Sequence, residues 1–117
     1  MGLLLAVLVG APLVGCGGRG AAEYTITPDV VGENRALLIE RFEKGKVLYK
    51  ANCSVCHGIY AQGRDSVPNF SDAQIHDYNA TYMKGDQRNH AVARRLSQQQ
   101  VDYIMTFLRL RRRPAAP

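Results

Sequence analysis

The feature that most constrains this chain is a run of five residues, Cys53-Ser54-Val55-Cys56-His57, in which two thiols stand two residues apart and an imidazole follows at once. The chain has 117 residues and one further cysteine, Cys16. Three thiols are too few for a disulfide scaffold, and an odd number requires separate explanations for the members. This length holds one small domain. Charged residues at 21% and 11 glycines exclude a collagen-like, coiled-coil or wholly disordered chain. Whatever occupies the Cys-x-x-Cys-His run therefore has to be served by a small core that disulfides do not brace.

The third cysteine closes an apolar leader. Residues 3–14 read LLLAVLVGAPLV, followed by Gly15 and Cys16. Twelve apolar residues match the central region of a secretory signal peptide and fall short of a bilayer span, although no Lys or Arg precedes Leu3. The start does not satisfy the myristoylation pattern, because Ala6 stands where Ser or Thr is required. Leu13-Val14-Gly15-Cys16 resembles a bacterial lipobox, in which Cys16 becomes the lipid-modified first residue. The expected organisation is a signal peptide over residues 1–15, a lipidated tether over 16–33 carrying Gly17, Gly18, Gly20 and Pro28, a domain over 34–112 and a basic Pro-Ala tail over 113–117. Such a chain is exported and anchored at the periplasmic face of a bacterial membrane. Gly17 in place of an aspartate points to the outer membrane.

Helical rhythm dominates the rest. Leu38, Phe42, Gly45 and Tyr49 follow one another by four, three and four residues and predict one face of a helix over 34–52. Gly45 on that face predicts close approach of a second helix. Ser71 and Gln74 form a capping-box pair that opens a helix over 72–82, with Ile75, Tyr78 and Tyr82 as its apolar stripe. Ser97 and Gln100 repeat the pattern before Val101, Ile104, Met105 and Leu108. No segment sustains strand alternation, so the expected fold is all-α, with three to four helices.

Cys53, Cys56 and His57 lie between the first two helices. Cys-x-x-Cys-His is the attachment motif of c-type haem. The thiols add across the two vinyl groups of the macrocycle, and the adjacent histidine is delivered beneath the ring to bind iron. A thioredoxin-like dithiol needs a βαβ setting that this sequence lacks. A zinc site needs four ligands, which would have to be completed by His76 or His90.

Gly45-Lys46-Val47-Leu48-Tyr49, Cys53 to Gly58, Val67-Pro68-Asn69-Phe70 and residues 96–109, LSQQQVDYIMTFLR, together resemble a class I, monohaem c-type cytochrome over roughly residues 36–110. The resemblance implies a small all-α fold around one haem c. It matches Gly45 and Phe107 to the glycine–aromatic crossing of the first and last helices, and Gly63 to a turn after the motif. It also matches Pro68 to a proline whose carbonyl accepts a hydrogen bond from the proximal histidine, a contact that orients the imidazole. The family usually supplies a methionine as sixth ligand from the loop before the last helix. That loop here, residues 85–95, contains no methionine and contains His90. His90 is the favoured distal ligand and Met83, at the end of the second helix, the alternative; Met105 reads as a packing residue.

The remaining signals are weaker. Tyr49, Tyr60, Tyr78, Tyr82 and Tyr103 read mostly as packing. Arg94 and Arg95 read as solvated charge beside the distal loop, and Arg109, Arg111, Arg112 and Arg113 as a solvated helix end favoured by the helix dipole. The net charge of +5 invites nucleic acid as a partner, but an exported haem protein has no access to it. No nucleophile–base pair or acid/base cluster is evident, so no small-molecule substrate and no enzyme activity is expected. The expected function is one-electron transfer between redox proteins or to a membrane respiratory complex. A haem-bearing subunit of a larger membrane oxidoreductase is the alternative, and a haem sensor or enzyme with a labile sixth ligand stands behind it.

Overall fold

Gly45 decides how the two longest helices meet. In the computed structural model, which describes residues 22–61, 63–83 and 90–112, α1 spans Gly32–Asn52 and α4 spans Gln98–Leu110. At the crossing a Cβ on Gly45 would overlap the carbonyl oxygen of Tyr103 and lie 2.9 Å from Cβ of Phe107. Only glycine permits that approach. Phe107 is fully buried there, its ring centroid 5.5 Å from Phe42, 5.1 Å from Tyr49 and 5.0 Å from Tyr60, tilted or edge-on in each case. These are the offset geometries that aromatic quadrupoles favour. Val67 and Ile104 complete this cluster, and a second one gathers Ile75, Val101 and Met105.

The short elements lie between these helices. α2 is one turn, Ser54–His57, and a two-stranded antiparallel ribbon follows, β1 (Tyr60–Ala61) against β2 (Arg64–Asp65), with Gly63 at φ 71° in its turn. α3 spans Asp72–Tyr78 and continues as a π-helical turn over Asn79–Met83; a 3-10 turn over Ala93–Arg95 leads into α4. Both predicted capping boxes are present: Ser71 accepts from Gln74 N at 3.2 Å and Ser97 from Gln100 N at 3.1 Å, each glutamine reaching back to its cap. The chain is mostly helical and its sheet is minimal, as the sequence predicts. Among the described residues no helix is long and apolar enough to cross a membrane.

Three expectations need correction. Tyr78 and Tyr82 do not join Ile75 in a buried stripe; each is 43% exposed. The wider i→i+5 turn after Tyr78 breaks the 3.6-residue period between Ile75 and Tyr82, while Tyr78, still within α3, sets its ring edge-on to Phe70 at 5.7 Å. The packed domain starts before residue 34: Tyr24 sets its ring edge-on to Phe42 at 5.3 Å, Thr25 N donates to Leu110 O, and Arg112 N donates to Glu23 O, both at 2.8 Å. Glu23 also holds Lys46 at 2.6 Å. Residues 23–25, expected to be tether, thus form a strap on the α1–α4 crossing. Arg111 is not part of a solvated helix end. It is 3% exposed, and its guanidinium is buried between the strap and the loop after β2. Cys16, the signal segment 1–15 and the tail 113–117 lie outside the described residues.

Candidate haem site

α1 ends where the motif begins. Cys53 caps it with its amide bonded to Tyr49 O at 2.8 Å, and one further turn carries Val55, Cys56 and His57 outward. Val55 is 95% exposed, Cys56 and His57 are exposed, and Cys53 is half-buried. Burial pushes the Cys53 thiol above its ordinary pKa. Gly58 then turns the chain at φ 111°, and a Cβ there would run into the backbone of Ser66. The motif is fastened from three sides. The Tyr49 hydroxyl donates to Gly58 O at 2.8 Å, Ser66 N donates to Ile59 O at 3.0 Å, and Ile59 N donates to Ser66 Oγ at 2.9 Å. Burial, with a smaller contribution from neighbouring Cys53, pushes the Tyr49 phenol up to about 12, while Arg111 opposes the shift. The hydroxyl therefore keeps its proton and stays a donor.

His90 faces the motif. Its ring centroid lies 5.9 Å from that of His57, with 34° between the planes. A metal–nitrogen bond to imidazole is about 2.0 Å, so two trans imidazoles on one metal have centroids about 6 Å apart. The two rings thus stand at the separation of an axial pair. His90 also caps the turn that leads to α4: its carbonyl accepts from Arg94 N at 3.1 Å and its Nδ1 from Ala93 N at 3.4 Å.

Met83 is positioned differently. It packs, half-buried, against the cluster of Ile75, Val101 and Met105, which gives its side chain an apolar role, and Met105 is buried in the same cluster as expected. His76 is exposed, with Nδ1 3.4 Å from Asp77 Oδ1. Among the described residues no three His, Cys, Asp or Glu side chains converge on a point that would hold a metal ion, so the zinc reading lacks its ligands. The Pro68 carbonyl accepts from Phe70 N at 3.0 Å and from Arg111 Nη2 at 3.4 Å.

Arg111 is the residue that sequence reasoning missed. Its Nε donates to Asp65 Oδ2 at 2.8 Å and its Nη2 to Val67 O at 2.8 Å and Asn69 Oδ1 at 3.1 Å. The signal was present: Ile104, Phe107 and Arg111 are spaced by three and four, which puts the arginine on the buried face of α4.

These features belong to a small haem-attachment domain, and a cytochrome c family model matches residues 42–111. The chain belongs to the cytochrome c family: it is a c-type cytochrome that carries haem c, with its iron, covalently bound. No curated protein and no solved structure gave a significant match.

Proposed function

We propose that this chain is a monohaem electron carrier in which Cys53 and Cys56 bind the haem and His57 and His90 are its axial ligands. The observation that carries the ligation is the 5.9 Å spacing of the two imidazoles. When bound, the haem supplies a one-electron Fe(III)/Fe(II) couple. The residues around it hold and tune that couple. Cys53 and Cys56 tie it to a turn whose backbone Tyr49 and Ser66 keep in place. His57 and His90 would hold the iron between their imidazoles, and the group would then serve as a redox centre rather than a substrate site. Two imidazoles favour the ferric state more than an imidazole and a thioether do, so the potential is low for a cytochrome c.

The wider reading is one of electron transfer between protein partners, or within a membrane respiratory complex, without enzymatic turnover. Cys16 lipidation would anchor the chain at the periplasmic face of a bacterial membrane, with the outer membrane favoured. The lipobox-like run before Cys16 supports this.

Optical and EPR spectra of the oxidised protein test the ligation. Bis-imidazole coordination predicts no methionine–iron charge-transfer band, and His90→Ala should open the position to carbon monoxide in the reduced state. A methionine band that persists in His90→Ala and vanishes in Met83→Leu would transfer the role to Met83.

A further inference from the structure

We propose that the Arg111–Asp65 pair is the positioning device of the proximal ligand, joining the C-terminal end of α4 to the backbone behind His57 and setting the reduction potential. The inference rests on the haem reading above and extends it to residues outside the attachment motif.

The linkage is continuous. Arg111 Nε donates to Asp65 Oδ2 at 2.8 Å, and Asp65 Oδ1 accepts from Val67 N at 3.0 Å, so the pair fixes both sides of Ser66. Ser66 in turn bonds both the amide and the carbonyl of Ile59, and its carbonyl packs where a Cβ of Gly58 would be. Gly58 is the residue after His57. Arg111 Nη2 closes the far side of the loop on Val67 O and Asn69 Oδ1. A buried guanidinium with these partners leaves the loop, and through it Gly58 and Ile59, little freedom.

The strap seals the arrangement. Thr25 and Arg112 pair the backbone of residues 23–25 with that of residues 110–112 across Arg111, and only 1% of the arginine side chain remains exposed. The Asp65 carboxylate is 17% exposed, so the two charges of the pair are screened unequally. The electrostatic environment of Tyr49, which holds Gly58 O, includes Cys53, Asp65 and Arg111 together. A charge of the pair left alone is therefore uncompensated behind the motif, within reach of the Tyr49 hydroxyl that holds Gly58 O.

The two members have opposite effects. Arg111→Met leaves the Asp65 carboxylate unpaired, which favours the more positive ferric iron and lowers the potential. Asp65→Asn leaves the guanidinium, which favours the ferrous state and raises it. Arg111→Lys keeps the charge without the fork and should stay nearer the parent. The expected size is up to about tenfold in the ferrous/ferric ratio at a fixed potential, which is 59 mV for one electron.

The experiment is a redox titration of the full-length protein and these three variants, with Arg109→Gln as an exposed control, each first checked for covalent haem by pyridine haemochrome. Shifts of opposite sign for Arg111→Met and Asp65→Asn, with the control unmoved, support the proposal. Unchanged potentials alongside lowered thermal stability overturn it and leave the pair as a structural latch; shifts of the same sign overturn it too. If Arg111→Met yields no haem-loaded protein, Asp65→Asn decides: a raised potential with Arg111→Lys near the parent supports the proposal, and an unchanged or lowered potential in Asp65→Asn overturns it. A parent protein without covalent haem would instead defeat the haem reading itself.

Discussion

The α1–α4 crossing and the face that carries His57 are opposites. At the crossing Phe42, Tyr49, Tyr60 and Phe107 are buried ring against ring, and Gly45 admits the partner backbone. Around the motif Val55, Cys56 and His57 are turned to solvent, with the ring of His90 5.9 Å from that of His57. The first region satisfies itself within the chain. The second carries the motif through which a cytochrome c binds its haem. A small domain can leave one side so open only if the other is dry and well packed, because native stability is a margin of only about 5–15 kcal/mol.

The contrast is sharpest at Phe107. Phe107→Ala should cost about 3–5 kcal/mol by removing the common partner of three aromatic rings, and urea unfolding would measure it. A loss near 1 kcal/mol would mean that the crossing is not the main source of stability. Tyr49 links the two regions. Its phenol is pushed to about 12 from an ordinary 10.0, so folding favours the neutral form. That contribution is whole below pH 10 and is lost as pH rises through about 12. Tyr49→Phe should therefore be less stable at neutral pH, by about 1 kcal/mol for the bond to Gly58 O, and should show a flatter decline in alkali. Equal alkaline slopes for parent and variant would contradict this. The caps differ from each other. Ser97→Ala should cost about 1 kcal/mol in global stability, because α4 is part of the crossing. Ser71→Ala should mainly raise hydrogen exchange in α3, which carries one buried residue, Ile75.

Legibility followed range. The two capping boxes were readable because a cap joins residues three apart, and the Gly45–Phe107 crossing was readable from its resemblance to a family pattern. Tyr82 was misplaced because a single π-helical turn cancels the periodicity on which the reading relied. Glu23 and Tyr24 looked like tether because their neighbours are glycine and alanine, yet their partners are Lys46, Phe42 and the end of α4, at least 18 residues away. Arg111 was hidden by its arginine neighbours: composition assigns the run to solvent, while helical phase assigns this one member to the core.

The sequence by itself determined the covalent chemistry and the local structure: two thiols and an imidazole at a spacing that serves haem, helix starts written in serine and glutamine, and a glycine where two helices must touch. Each depends on bonded spacing or on residues within a turn of one another. Only the tertiary structure decided that His90 faces His57 across 5.9 Å and that Arg111 is buried on Asp65, 46 residues away. Those outcomes depend on how helices pack over long separations, where burial and charge pairing choose among arrangements that local propensity leaves equal.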